Sequence, residues 1–457
     1  MKHKGTVLIL AYECYPYNRT GSAIGAQRPY QFAKNLSELG WKVIVLCCDQ
    51  EKRRTLSKEK LESVSIELYQ AYQERINKED FCILPLPSLS SHGWADYLWS
   101  VSVTKGPGGT YKGKGFPYSL IRKFATLYNQ LVHGDYSWSW TPVVESFAHQ
   151  IFKQHKVDVI VGEHSPDAGI LLASKFSQQY AIPWIADFRD PILWPFKGAF
   201  GFVYKQVVKR ILRSAEATIN VNPYWSELDQ QLFGKPAYTI VNGYDKIFFD
   251  QVPAHQFPFF AVSYFGSFSD EFQDIKPSLA TFAEFLKRNY YPTNARLFYR
   301  GLQQQEFIFK CQAAGISIDH LDVDGFVKRE ETVAFMKGSA VLLLYAIPSY
   351  KAKGLYKKKG FYPGKVFEYI GAGKPVLCIP TDHGLLELLV QSHKLGMVTS
   401  SLEEAVVFMQ QKYERWNKKT ETKSSSQEGL EDYTRQKQAL ELETILMKII
   451  HARDAVS

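Results

Sequence analysis

The segment Phe361-Tyr-Pro-Gly-Lys-Val-Phe-Glu-Tyr-Ile-Gly-Ala-Gly-Lys-Pro-Val-Leu-Cys-Ile-Pro380 holds a helix, its stop and a strand in one short run. Pro363 and Gly364 open the helix, and Gly371 and Gly373 close it. The apolar stretch Val376 to Ile379 follows as a strand. Lys365 and Glu368 stand three apart, so they share a helix face. They lie beside a helix N-terminus, which itself favours anions. A cation for phosphate and a carboxylate for ribose hydroxyls are the parts a nucleotide site needs. On spacing alone, a surface-exposed helix start in an ordinary α/β domain fits equally well.

Working outward, the N-terminal residues read as strand, loop, helix, strand. Thr6 to Ala11 is the strand and Gly21-Ser-Ala-Ile-Gly25 the loop. Arg28 to Leu39 has helical periodicity, with Tyr30, Phe32, Ala33, Leu36 and Leu39 apolar and Gly40 as the stop. Lys42 to Cys48 is the next strand, completing a βαβ start. The loop is not GxGxxG, and no acidic residue ends the second strand, although Asp49 is close. NAD binding therefore has weak support.

Further strands are expected at Val157 to Gly162, Trp184 to Phe188 and Ala217 to Val221, with a helix over Asp167 to Tyr180. In parallel α/β domains, function gathers at the C-terminal ends of strands. Asp187-Phe-Arg-Asp-Pro191 stands at such an end and offers Asp187, Arg189 and Asp190. A carboxylate there could serve in acid–base chemistry; a structural Asp–Arg pair with a helix cap is the alternative. His164, in Glu163-His-Ser-Pro166, also follows a strand, where a lone His is more often structural. A second domain starts near Phe259, with strands at Ala261 to Phe265, Arg296 to Tyr299 and Val341 to Tyr345. Its first strand leads to the turn Gly266-Ser-Phe-Ser269, then Lys276, Pro277 and a helix over Ser278 to Leu286. Val341 to Tyr345 leads to Ile347-Pro-Ser349. Lys418 to Gly429 reads as a linker and Tyr433 to Ile450 as a helix.

At 457 residues the chain suits two or three domains, and 45% hydrophobic with 14% aromatic content is enough for substantial cores. Cys14, Cys47, Cys48, Cys82, Cys311 and Cys378 have no paired metal spacing and read as buried reduced thiols of a reducing compartment. The apolar run after Lys4 is too short for a signal peptide, and no stretch approaches the ~18 to 20 apolar residues of a membrane span. The expectation is a cytoplasmic protein, in solution or peripheral to the inner membrane face. A net charge of +9 favours anionic partners: nucleotide phosphate, anionic lipid or, least, nucleic acid. Residues 84–118, rich in Gly, Pro and Ser, read as a long loop leading into a helix-like stretch, Tyr118 to Val132. There Lys105, Lys112, Lys114, Arg122 and Lys123 interleave with Tyr111, Phe116, Tyr118 and Phe124. This could touch an anionic membrane; a loop followed by an ordinary helix is the alternative. Lys351, Lys353, Lys357, Lys358 and Lys359 form either a phosphate-attracting flap or a solvated loop.

The opening segment, as Lys365, Glu368, Tyr369, Gly373, Pro375 and Val376, resembles the donor-site signature of retaining GT-B glycosyltransferases of the family-4 type. The resemblance extends to Ala186-Asp-Phe-Arg-Asp-Pro191 after a strand and Asn242-Gly-Tyr-Asp245 before a linker, and covers roughly Thr6 to Val398. It implies an α/β fold of the GT-B kind: two Rossmann-like, doubly wound domains facing a central cleft, the last helix crossing back to the N-terminal domain. The corresponding division is 1–248 for the acceptor, 249–425 for the nucleotide sugar and 426–457 for the returning helix.

The resemblance further implies a hexosyltransferase moving a sugar from a nucleotide-diphosphate sugar to a glycan or lipid-linked acceptor in surface polysaccharide synthesis. Configuration would be retained, with no cofactor and no metal. Lys276 and Lys365 would stabilise the leaving diphosphate, with Asp187 and Asp190 as further catalytic candidates. Gly21, Ser22, Gly266, Ser267, Phe326, Val327, Pro348, Ser349 and Glu368 would bind the donor, and Arg189 and His164 the acceptor. Gly25 belongs to the same glycine loop. Asp322-Val-Asp324 precedes the loop beside the base and is read as non-metal. The chain departs from the family at Gly360, where many members carry a Glu that contacts the donor sugar. Gly360 leaves a nucleotide-sugar-binding protein without transferase activity as one alternative; a GT-B-like sugar-nucleotide epimerase is another.

Overall fold

A computed structural model describes residues 3–18, 24–49, 56, 58–89, 137–193, 198–268, 273–348, 359–420 and 429–454. These form two compact units: one contains the chain up to Ile240 together with Ala439 onward, and the other is Val241–Gln438.

The first unit is built on a parallel sheet of β1 (Thr6–Leu10), β2 (Lys42–Cys48), β3 (Phe81–Leu86), β4 (Val159–His164), β5 (Trp184–Phe188), β6 (Ala217–Asn220) and β7 (Ala237–Thr239). Their order is β3-β2-β1-β4-β5-β6-β7. The strand sequences are near-continuous runs such as Thr-Val-Leu-Ile-Leu, as expected when helices cover both faces. One face, with Leu8, Ile44 and Ile160, packs under α2 (Leu61–Lys78), α3 (Thr141–Gln154) and α4 (Ala168–Tyr180). The other face carries Val7, Ile9, Val43 and Val159. It is covered by Phe32, Ala33 and Leu36 of α1 (Ile24–Glu38) and by Leu442, Ile445 and Leu446, which come from the far end of the chain.

Two expectations change here. The helix predicted from Arg28 begins at Ile24, so Pro29 lies inside it rather than at its first turn. Only the Gly25 carbonyl loses a helical donor by this. Residues 84–86, expected to open a long loop, instead complete β3. β3 is an edge strand, the place in a sheet where Pro85 costs no ladder bond. The remainder of that loop, 90–118, and the stretch Tyr118 to Val132 lie outside the described residues.

The second unit repeats the pattern with β8 (Phe260–Phe265), β9 (Ala295–Arg300), β10 (Leu321–Asp324), β11 (Val341–Leu344), β12 (Val376–Cys378) and β13 (Gly396–Val398). All pairs are parallel, in the order β10-β9-β8-β11-β12-β13. Two apolar cores lie on opposite faces, one under Phe282 and Phe285, the other under Val366, Phe367 and Ile370. The final helix, Arg435–Asp454, leaves the second unit and joins the first from Ala439 on. Ala439, Leu442, Ile445 and Leu446 form its buried stripe. Among the described residues no helix is long and apolar enough to cross a membrane.

Candidate functional site

Each sheet reverses its strand order once, between β1 and β4 in the first unit and between β8 and β11 in the second. Ligand crevices of open α/β sheets lie beyond the strand C-termini at such switch points.

In the second unit, β8 is followed at once by Gly266, which adopts a left-handed φ of 94°. The Tyr264 hydroxyl holds the turn by donating to the Ser267 carbonyl at 2.7 Å. The Gln303 side-chain amide accepts from the Phe268 N–H (2.8 Å) and donates to the Phe268 carbonyl (2.9 Å). Lys365 is the first residue of α11 (Lys365–Ala372) and reaches into this turn. A Cβ on Gly266 would stand 3.0 Å from Lys365 Cε and 3.2 Å from its Nζ. The ammonium sits 5.1 Å over the Tyr264 ring. Among the described residues it has neither a hydrogen bond nor an ion pair. Burial lowers its pKa to about 8, although Glu368 pulls the other way. A partly dry ammonium with open valences beside a glycine turn is an anion receptor in waiting.

Glu368, one turn along α11, pairs through Oε1 with Arg329 Nη1 at 3.2 Å. Arg329 opens α10 (Arg329–Gly338), which follows the loop holding Phe326 and Val327. Its guanidinium also lies 5.4 Å over the Phe248 ring. Sequence reasoning missed Arg329; its position just after the Gly325-Phe-Val loop was the available signal. Phe326 is exposed, Val327 half-buried and Pro348 buried. Lys276 is exposed at the first position of α8 (Lys276–Arg288). Asp322 pairs with Arg300 at 2.8 Å, and Asp324 accepts from the Gly325 N–H. Gly360 has φ 75°, and a Cβ there would meet Asp382 Oδ2 at 2.3 Å. The Asp382 carboxylate accepts from the N–H groups of Gly384, Leu386 and Glu387 at the start of α12 (Leu385–Ser392). A side chain at 360 would have to displace the Asp382 carboxylate and take up a strained φ.

In the first unit, the strand ends carry a charge cluster. Asp187 accepts two hydrogen bonds from Arg28 of α1, both 2.8 Å, and the pair is fully buried. The partner is Arg28 of α1 and not Arg189, which stands two residues on, beyond the end of β5. Arg189 instead donates to Glu13 Oε2 at 3.0 Å and to the Ser165 carbonyl. Gly25 makes room for it: a Cβ there would meet Arg189 Nη1 at 2.3 Å. Asp190 is exposed and caps no helix, since α5 (Gly198–Ile211) starts later. His164 Nδ1 lies 2.7 Å from Asp167 Oδ1, and the Tyr204 hydroxyl donates to Asp167 Oδ2.

Glu163, which sequence reasoning passed over, is 2% exposed, and neither carboxylate oxygen has a hydrogen bond among the described residues. Arg189 Nη1 is 3.9 Å away. Burial pushes the Glu163 pKa up to about 8, against the pull of Arg189. The structure thus brings Arg189 and Glu163 together at one strand edge, with His164 as the next residue. Gly21, Ser22, Ser349, Lys351, Lys353, Lys357 and Lys358 lie outside the described residues. Among those described, no group of three or more His, Cys, Asp or Glu side chains could hold a metal ion.

No protein-family model matches the chain. No curated protein matches it either. Solved structures do match over nearly the whole length. Anabaena HepE in complex with UDP and glucose aligns with a TM-score of 0.58 at 13% identity, covering 97% of this chain and 100% of that one. Sucrose-phosphate synthase from Thermosynechococcus elongatus gives 0.56 at 13%, covering 98% and 100%. A glycosyltransferase from Rickettsia africae gives 0.53 at 11%, covering 98% and 99%. The fold is the α/β GT-B fold of these proteins.

Proposed function

We propose that this chain is a glycosyltransferase that moves a sugar from a nucleoside-diphosphate sugar to a glycan or lipid-linked acceptor. The observation that carries the reading is the contact between Lys365 and the Gly266 turn at the switch point of the second sheet. Support comes from HepE, a protein of the same fold that has been solved with UDP and with UDP-glucose bound.

As the glycosidic bond to the diphosphate breaks, negative charge grows on the leaving group. Lys365 meets that charge from a partly dry position, where an ammonium is worth more than in water. Lys276 adds a cation at a helix N-terminus. Glu368, steadied by Arg329, accepts from ribose hydroxyls. The loop at Phe326 and Val327 borders the base, and Ser267 and Pro348 complete the donor side. On the acceptor side we assign Arg189 and His164, with Glu163 between them in the strand end. Asp187 acts through Arg28 as a positioning residue, and Asp190, exposed and 3.9 Å from Arg189, faces solvent or acceptor. Retention of configuration, a role in surface polysaccharide synthesis and independence from metal belong to this proposal.

A second reading, a nucleotide-sugar-binding protein without transfer, is favoured by one observation. Asp382 fills the space that a side chain at 360 would need. The test is titration of the purified protein with UDP, GDP and NAD without added metal, repeated for Lys365→Ala and Glu368→Ala. Micromolar binding of one diphosphate, lost in both variants, is expected. Binding indifferent to both substitutions would overturn the proposal. Hydrolysis or transfer of the matching nucleotide sugar then separates the two readings.

A further inference from the structure

Helix α5 follows β5, so its first turns lie toward the C-terminal edge of the first sheet, where Arg189 sits. Its buried side is ordinary: Tyr204, Val208 and Leu212 belong to the core. Its outer side is not. Phe202 is 66% and Val203 44% exposed, adjacent on the helix. Gln206, Lys209 and Arg210 are exposed as well. At 100° per residue these five fall on about one third of the circumference and span about 12 Å of helix. Arg213, exposed just beyond the helix, continues the same face. Lys235 adds a further cation by donating to the Arg213 carbonyl at 2.8 Å.

No Asp or Glu occurs from Pro191 to Ala215, a stretch that contains Lys197, Lys205, Lys209, Arg210 and Arg213. Lys209, Arg210 and Arg213 have no ion-pair partner among the described residues. Glu216, exposed, is the first acidic residue beyond them. An apolar tip continued by unneutralised cations, with no acidic residue among them, complements a surface that is negative outside and apolar within. A bilayer with anionic headgroups has both layers. A nucleic acid or an acidic protein would use the cations and leave Phe202 and Val203 idle.

We propose that this face of α5 docks on an anionic membrane surface, with Phe202 and Val203 entering the headgroup boundary and Lys209, Arg210 and Arg213 pairing with anionic lipid. It rests on the transferase reading in naming the surface where a lipid-linked acceptor would be met. Such an acceptor would then reach the edge of the first sheet without leaving its membrane. The side chains involved are exposed, so changing them leaves the fold intact.

The experiment is co-sedimentation of the full chain with vesicles of phosphatidylcholine alone and of phosphatidylcholine with one third phosphatidylserine. The variants are Phe202→Ser with Val203→Ser, and Lys209→Glu with Arg210→Glu. Thermal melts confirm that each is folded, and UDP titration is run on the same samples. Binding to the anionic vesicles is expected, weakening as salt rises from about 0.05 to 0.3 M. The charge reversal should lower the association constant about twentyfold or more, and the serine pair about tenfold. Absence of binding to anionic vesicles overturns the proposal, as does binding that both variants retain. Loss with the charge reversal alone overturns it in favour of a polyanion that is not a membrane. UDP affinity should be the same in every variant. Its absence throughout would count against the donor site and leave the vesicle result standing.

Discussion

Lys365 and Gly266 are packed against each other so closely that the glycine's missing side chain is where the lysine runs: a Cβ at 266 would stand 3.0 Å from Lys365 Cε. The glycine also holds a φ of 94°, which L side chains rarely adopt. Gly266→Ala should therefore cost about 1 to 3 kcal/mol of stability. It should also weaken diphosphate binding by displacing the ammonium. Chemical denaturation and calorimetric titration read the two effects separately. Unchanged affinity would detach the turn from the site.

The pKa of Lys365, lowered by burial to about 8, gives ligand binding a pH dependence of definite sign. An anion binds the charged form, so affinity should be level below pH 7 and fall as pH rises through 8, approaching tenfold per unit. Lys365→Arg keeps its charge throughout this range and should flatten the profile. An identical slope in the arginine variant would assign the titration to another group.

Glu163 titrates in the opposite sense with respect to stability. Its folded pKa, near 8, is above its ordinary value of 4.5, so it stabilises the fold fully below pH 4.5 and loses that contribution as pH rises toward 8. Glu163→Gln copies the neutral carboxyl. Its melting temperature relative to the parent should climb from pH 5 to pH 8 and then level, for a gain on the order of 3 kcal/mol. A difference that stays flat across that range would mean the carboxylate is ionised and satisfied.

Asp187 and Arg28 form a buried pair, and breaking it should cost about 3 to 5 kcal/mol. Asp187→Leu with Arg28→Met should recover much of that loss. If Asp187 only positions α1, stability and activity should recover together. Recovery of stability without activity would return Asp187 to the reacting atoms.

Gly360→Glu, which would supply the acid that many relatives of the resembled family carry, should give no gain in activity. It meets Asp382 Oδ2 at 2.3 Å and a φ of 75°. A variant with higher transfer rates would show that this loop rearranges around the new side chain.

Much of this was legible in the sequence. Lys42 to Cys48 is apolar after its first residue and Trp184 to Phe188 is apolar apart from Asp187, and their strand limits agree with expectation. Elements whose signals conflict were read less well: Pro29 hid the first turn of α1, and Pro85 hid the end of β3. Within the sites, Lys365 could be found because helix spacing is local. The Arg329–Glu368 pair and the cluster of Glu13, Glu163 and Arg189 were missed, since each joins residues far apart in sequence. The Asp187 partner was missed for the same reason: Arg28 is remote in sequence, while Arg189, nearby in sequence, lies past the strand end and turns to Glu13.

The return of the last helix to the first unit sets an order for biosynthesis. Residues 241–438 form a continuous stretch and can condense as soon as they leave the ribosome. The first unit starts earlier and finishes later. Trp41 waits for Glu443, whose carboxylate accepts from its indole N–H at 2.8 Å, and the Val7 and Val43 face waits for Leu442 and Leu446. During that interval part of an apolar sheet face stays uncovered, beside the part that α1 already covers.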